Sequence, residues 1–306
     1  MDVPPEDPNG PPPPPGEARE IRPGLFRVRM PLPFALDHIN LWLLQDEGGF
    51  TLIDTGIATA EVRAAWDRLA ATVLRDRPPI RLICTHFHPD HMGLAGWLAE
   101  RWGLETWATL GEWAFGRMLS LEEDGPFTAH ALAFYRGAGF DAGQLAKIEQ
   151  RGNAYRKRVA PLPASFRRLH HDDRLCIGGR EWQVIVGRGH SPEHACLYSA
   201  EAGILIAGDQ VLPKISPNIS VWPQEPEADS LALYLDSLPQ FARLPADTLV
   251  LPSHHEPFHG LRARLEALAV HHHRRLAETF IACAGRSVTA AQLVEVGDGV
   301  RTFRHA

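Results

Sequence analysis

Apolar positions from Ile21 onward alternate between two periods. "LFRVRMPLP", "HINLWLLQD" and "GFTLIDTG" are short runs of branched and aromatic residues separated by Gly-Gly or polar turns, and they predict strands. In "TAEVRAAWDRLAATVLRD" the period lengthens, so that Val62, Trp66, Leu69 and Val73 fall on one face of a helix. "IRLICT" then predicts a short buried strand, and "HMGLAGWLAERWG" opens a second helix. Strands, helix, strand, helix in this order predict a layered α/β fold.

The pattern changes over residues 110–170. "LGEWAFGRMLSLEEDG", "TAHALAFYRGAGF" and "DAGQLAKIEQRGNAYRKRV" read as successive helices with almost no strand signal, which predicts a helical insertion. Strands resume at "REWQVIVGRG", "ACLYSA" and "GILIAGD"; a helix around "ADSLALYLDSLPQFARL" precedes the strand "DTLVLPS". "LRARLEALAVHHHRRLAETFIACAG" predicts a long helix, and "SVTAAQLVEV" starts another, with Ser287 or Thr289 as its N-cap. The start, "MDVPPEDPNGPPPPPGEARE", is acidic and proline-rich and predicts a disordered tail over residues 1–18. The main domain is then 19–260, and 261–306 form a helical appendage.

Composition narrows the picture. At 306 residues, 44% hydrophobic and 22% charged, the chain fits one large globular α/β domain with a small addition. A net charge of −6 makes the whole molecule no obvious polyanion binder. No run approaches a membrane span, and the N-terminus lacks the basic start and apolar core of an export signal. Cys84, Cys176, Cys196 and Cys283 are far apart and form no CxxC pair, which favours free thiols over disulfides and a cytoplasmic setting.

The chemistry lies where strands end. "CTHFHPDHMG" places His86, His88, Asp90 and His91 directly after one strand. His190 follows "WQVIVGRG", Asp209 follows "GILIAG", His254 and His255 follow "DTLVLP", and Asp54 follows "FTLI". Ligands at neighbouring strand ends converge on one rim of a sheet. Neutral imidazole and carboxylate suit zinc and related metals. His86 and His88, two residues apart, face one ion; Asp90 and His91 point to a second; Asp209, alone on its strand, is placed to bridge both. Two ions roughly 3.5–4 Å apart clamp a water and lower its pKa to about 7, which yields a hydroxide nucleophile for a carbonyl or phosphoryl centre. Asp90 or Asp209 is the group to accept that water's proton.

"THFHPDH", with "DTG" upstream and "GHSPEH", "GD" and "LPSHHEP" downstream, resembles the metallo-β-lactamase fold superfamily over residues 20–260. The resemblance implies an αββα sandwich with a dinuclear site at its edge. It implies His86, His88 and His190 on one metal, Asp90, His91 and His254 on the other, Asp209 bridging, and Asp54 orienting a ligand. The superfamily usually ends its last motif P-G-H-G-x-P, whereas this chain has Pro252-Ser253-His254-His255-Glu256-Pro257. Alignment on the prolines selects His254 and puts His255 in the glycine place, as a supporting group. His194 is likewise read as a supporting histidine, and Ser191 as a turn residue. His88 stands where the oxygen- and nitric-oxide-reducing iron members resemble a Glu pattern, which points to two zinc ions, with iron–zinc as the alternative pair.

Within the superfamily the cluster resembles the glyoxalase II and lactonase type, which acts on thioesters, lactones and other carbonyl esters. The appended helices resemble the branch with a winged-helix tail that includes β-lactamase-like protein 2, whose resemblance implies single-strand RNA cleavage. After "AAQLVEV" the sequence "GDGVRTFRHA" has no apolar period, so the winged helix reads as incomplete. The insertion supplies Arg151, Arg156, Lys157 and Arg158, either a solvated basic face or a pocket edge for an anionic group such as the phosphates of coenzyme A or a glutathione carboxylate. Trp113, Phe115, Phe127, Phe134 and Tyr135 are its candidate acyl-pocket lining. The preferred expectation is a zinc-dependent hydrolase of small acyl substrates. RNA cleavage is the runner-up, and a metal-stabilised scaffold acting through its tail the non-enzymatic alternative.

Overall fold

The computed structural model describes Gly10 and residues 12–294. Two sheets form. The first takes Ala18–Arg22 (β1), Leu25–Pro31 (β2), His38–Asp46 (β3), Gly49–Ile53 (β4), Pro79–Ile83 (β5), Thr106–Ala108 (β6) and Arg167–Arg168 (β7) in chain order. It is antiparallel through β4 and parallel from β4 to β7. The second takes Arg174–Ile177 (β8), Arg180–Gly187 (β9), His194–Ser199 (β10), Ile204–Gly208 (β11) and Leu249–Pro252 (β12), in spatial order β12-β11-β10-β9-β8.

Three apolar layers follow from strand periodicity. In β3, Ile39, Leu41 and Leu43 point one way and Trp42 and Leu44 the other, because successive side chains alternate across a strand. The first set packs beneath Val62, Ala65, Trp66 and Leu69 of Ala60–Ala71 (α1), the face its helical period predicts. The second set meets Leu175, Trp182, Val184, Leu197 and Ile206 between the sheets. On the far side, Cys196, Tyr198 and Leu205 pack under the seventh and eighth helices, named below. The order is therefore helix, sheet, sheet, helix. Sheets covered on both faces explain the near-continuous apolar runs of the central strands.

The remaining helices are Pro89–Met92 (α2), Ala95–Trp102 (α3), Leu110–Leu121 (α4), Asp124–Gly137 (α5), Ala142–Arg151 (α6), Ser230–Ala242 (α7), Leu261–Cys283 (α8) and Ala290–Val294 (α9). The insertion is helical through α4, α5 and α6, but it ends on β7, a two-residue exposed edge strand without an apolar signal. Part of the segment read as a tail is held on the fold. The Gly16 N–H donates to the Arg29 carbonyl at 3.2 Å, and Arg68 donates to the Pro15 carbonyl at 3.0 Å. Thr289 exchanges hydrogen bonds with Gln292 at the start of α9, as its N-cap role predicts. The expected incomplete wing, residues 295–306, lies outside the described residues. All four cysteines are free; Cys84 and Cys196 are buried, whereas Cys176 is exposed on β8. Among the described residues no helix is long and apolar enough to cross a membrane.

Candidate metal centre

Strand direction assembles the site. β9 and β11 both pair antiparallel with β10 and so run the same way, and β12 runs parallel to β11. Their C-terminal ends deliver His190, Asp209 and His254 to one edge. β4 and β5 are also parallel and deliver Asp54 and His86. Backbone bonds lock the two edges together: Ala195 N–H donates to the Thr85 carbonyl at 2.8 Å, and Asn40 N–H to the Ser253 carbonyl at 2.7 Å.

Two donor sets result. His86 Nε2 lies 3.0 Å from His88 Nδ1 and 3.1 Å from His190 Nε2. Beside them, His254 Nε2 lies 3.4 Å from Asp90 Oδ2, and His91 Nε2 lies 3.7 Å from the same oxygen. Asp209 Oδ2 stands between the sets, 3.4 Å from His254, 3.6 Å from His91 and 3.7 Å from His190. The donor atoms of His86/His88/His190, of Asp90/His91/His254 and of His86/His91/Asp209 each fall within 4.8 Å of one another.

Three of the rings, His190, His254 and His91, are fixed from behind, so that the other nitrogen faces the centre. His190 Nδ1–H donates to the Asn218 carbonyl at 2.8 Å, and His254 Nδ1–H to the His38 carbonyl at 3.2 Å. Asp54 Oδ2 holds His91 Nδ1 at 2.8 Å while also accepting from Thr85 Oγ1. Asp54 has φ of 66°, a left-handed conformation that costs energy in a non-glycine residue and aims its carboxylate back across the strand ends. Asp54→Asn is expected to weaken metal binding about 10- to 100-fold, the usual cost of losing a ligand's orienting partner. Competition against a chelator measures it, and unchanged affinity would show that Asp54 does not orient His91.

Electrostatics separate the sets. Burial, reinforced by neighbouring imidazoles, holds His86 well below its usual range and His88 down to about 3. For His254, burial favours the neutral ring, but Asp209 and Asp90 outweigh it and push the group up to about 10. Asp90 in turn is held at about 2: burial opposes ionisation, and His91 and His254 overcome it. The residues fit divalent ions. Three neutral imidazole nitrogens crowd to about hydrogen-bond distance, and His91 Nε2 and Asp209 Oδ1 are buried without a hydrogen-bond partner. Cations held by these donors would meet the crowded imidazole nitrogens and the unpartnered His91 Nε2.

The supporting histidines behave differently from each other. His194 is buried, stacks on His86 at 4.7 Å, and its Nε2 accepts the Asp209 N–H at 3.1 Å. Gly208 leaves room for that ring, since a Cβ there would lie 2.4 Å from His194 Cε1. His255 does occupy the glycine place, with φ of 67°. It acts through its backbone: the carbonyl accepts from Asn40 Nδ2 at 2.7 Å and Arg27 Nη2 at 3.4 Å, and buried Arg27 also pairs with Glu256. His271, His272 and His273 lie on α8 outside the two donor sets, with His272 edge-on to the Tyr234 ring at 5.4 Å.

The basic and aromatic residues of the insertion take up different places. Of the four basic residues, Arg158 is within electrostatic reach of Asp90 and lies 4.9 Å over the Phe34 ring. Lys157 turns to Asp124 and the Arg151 carbonyl, and Arg156 is exposed. Among the candidate lining aromatics, Phe115 joins Phe87 and Trp222 in a wall beside His88. Trp113 instead stacks on Phe166, and Phe134 and Tyr135 pair with each other. Phe127 packs against the core beneath α1. Trp222 was not legible because it reaches the site from a loop far along the chain.

The sequence also concealed Glu112. Thr109-x-x-Glu112 looks like a capping box. Instead the fully buried Glu112 carboxylate accepts from Phe87 N–H at 2.9 Å, Ser191 Oγ at 2.8 Å and Glu193 N–H at 2.6 Å. Burial pushes it up to about 7 against those hydrogen bonds.

Known proteins resemble the chain over most of its length. The sequence model described as "Metallo-beta-lactamase superfamily" matches residues 35–254. The crystal structure of a beta-lactamase domain protein from Burkholderia ambifaria is 42% identical, covers 93% of this chain and 85% of that one, and superposes with a TM-score of 0.83. A "Probable metallo-hydrolase YqjP" of Bacillus subtilis (strain 168) is 28% identical over 256 residues, 79% of this chain and 75% of that protein. "Acyl-coenzyme A thioesterase MBLAC2" of Gallus gallus is 26% identical over 200 residues, 61% of this chain and 63% of that protein.

Proposed function

Since this chain belongs to the metallo-β-lactamase superfamily, we propose that it is a dinuclear, zinc-dependent hydrolase of small acyl thioesters, with carbonyl esters and lactones in the same class. One observation carries the two-ion reading: Asp209 Oδ2 sits 3.4–3.7 Å from imidazole nitrogens belonging to both donor sets, where its carboxylate would be shared by ions held in each. The similarity to an acyl-coenzyme A thioesterase supports the substrate class.

His86, His88 and His190 would hold one ion and Asp90, His91 and His254 the other, with Asp209 shared. Ions bound there would supply Lewis acidity and bring the pKa of water to about 7. Asp90, at the more open side of the cluster, and Asp209 are the carboxylates placed to take the water's proton. Phe115 and Trp222, backed by the fully buried Phe87, offer an apolar wall for an acyl chain beside His88. Arg158, stacked on Phe34 near Asp90, is placed to hold an anionic group of the substrate, with Arg151 beside it.

Acyl-CoA, glutathione thioester, lactone, β-lactam and single-stranded RNA form the panel that tests this. Thioester turnover is expected; turnover of RNA alone would overturn the substrate class. Arg158→Ala is expected to raise KM for an anionic thioester about ten- to a hundredfold with little change in kcat, because a hydrogen bond to a charged group contributes roughly 1.5–3 kcal/mol. An unchanged KM would remove Arg158 from the binding site.

A further inference from the structure

The helical insertion reaches the three-histidine set through a buried carboxylate. α4 begins at Leu110, and Glu112 in its first turn is fully buried between the two loops that carry the three-histidine set. One loop contributes Phe87, which lies between His86 and His88. The other contributes Ser191 and Glu193, which follow His190. Glu112 Oε2 accepts the Phe87 N–H, while Oε1 accepts both Ser191 Oγ–H and the Glu193 N–H. The other side of the Phe87 peptide is held as well, since Tyr155, also from the insertion, donates to the Phe87 carbonyl at 2.7 Å.

The clamp is reciprocal. Glu193 Oε2 accepts the Gly111 N–H at 2.8 Å, and Thr109 Oγ1 donates to the Glu193 carbonyl at 2.7 Å. Both carboxylates therefore sit at the positive start of α4, where unpaired N–H groups favour negative charge. Gly116 lets the helix approach, as a Cβ there would lie 2.8 Å from Tyr155 Oη and 3.2 Å from Phe87 Cβ. Burying a carboxylate is costly unless it is fully hydrogen-bonded, and no donor here comes from the Asp90/His91/His254 set.

We propose that Glu112 is a positioning residue that fixes the His86/His88/His190 set from the insertion, so that α4 governs occupancy of one ion and leaves the other set independent. This rests on the two-ion reading above. Phe87 and Ser191 are covalently next to the ligands, so a tether on their backbone and side-chain groups sets where three imidazoles converge. A glutamine cannot replace the carboxylate. Whichever way its amide is turned, its NH2 faces either the Phe87 or the Glu193 N–H, and one tether is lost.

The test is a titration of metal-depleted protein with Co(II), read by d–d absorption and by metal analysis. Wild-type protein is expected to take up two ions; failure to do so would refute the two-ion reading itself rather than the role of Glu112. Glu112→Gln is expected to weaken one ion by about 10- to 100-fold, the range for lost outer partners of ligands, and to leave the other within about threefold. In a His254→Ala background, where the histidine set is intact, the weakening should persist. In a His190→Ala background it should vanish. Tyr155→Phe is expected to act in the same direction with a smaller effect. Two ions bound as in wild type, or both weakened equally, would overturn the proposal. If Glu112→Gln does not fold, Ser191→Ala removes one tether and must still weaken one ion selectively.

Discussion

Replacing Asp209 by alanine is expected to lower kcat/KM for the chain's hydrolysis reaction at least about a hundredfold. The loss of a partner that merely orients a ligand already costs up to about that much, and Asp209 is placed as a shared ligand itself. Its Oδ2 is the atom nearest to both donor sets, 3.4 Å from His254 and 3.7 Å from His190. Its backbone is held independently, through the Asp209 N–H to His194 and the Ser253 N–H to Gly208. The strand end should therefore survive the substitution, and circular dichroism can verify that it does. Asp209→Asn keeps the shape and one acceptor oxygen but loses the charge, so it should fall between the two. Activity of Asp209→Ala within about threefold of wild type would remove this residue from the reaction.

Withdrawal of metal should have the largest effect on stability. Without ions, buried His91 and His254 face Asp90 and Asp209 alone, and the three neutral rings of His86, His88 and His190 converge with nothing among them. An ion that binds only the folded chain stabilises it by about 4 kcal/mol when present at a thousand times its Kd. At roughly 2–4 °C per kcal/mol for a domain of this size class, dipicolinate or EDTA treatment should lower Tm by about 8–16 °C for each ion removed. Hydrolysis should be lost in parallel, and added zinc should restore both. A chelator-treated sample with unchanged Tm would mean that the histidine and aspartate side chains hold each other without ions.

The centre was legible because its parts are local. His86, His88, Asp90 and His91 fall within six consecutive positions after one strand, and the other donors each follow an apolar run, so residue type and strand position coincide. The supports are not local. Glu112 meets Phe87 across 25 positions and Glu193 across 81, and its sequence context imitates a helix cap. Arg27 reads as an outward polar residue of a strand, yet it is buried because it holds Glu256 and His255 from more than two hundred positions away. Two of the missed strands fail for a different reason. β6 has three residues and β7 has two, too short for any period to show, and parallel pairing with a neighbour is what makes them strands. The insertion's aromatics illustrate the limit of composition: Phe115 reaches the wall beside His88, while Phe134 and Tyr135 pack at the far end against each other.

The central claim is that two ions share Asp209, and the direct measurement is the number of ions bound per chain at saturation, by native mass spectrometry with elemental analysis. Two ions, zinc by elemental identity, falling to one in His190→Ala and in His254→Ala, is the predicted result. Saturation at one ion or none in the wild-type chain would contradict it.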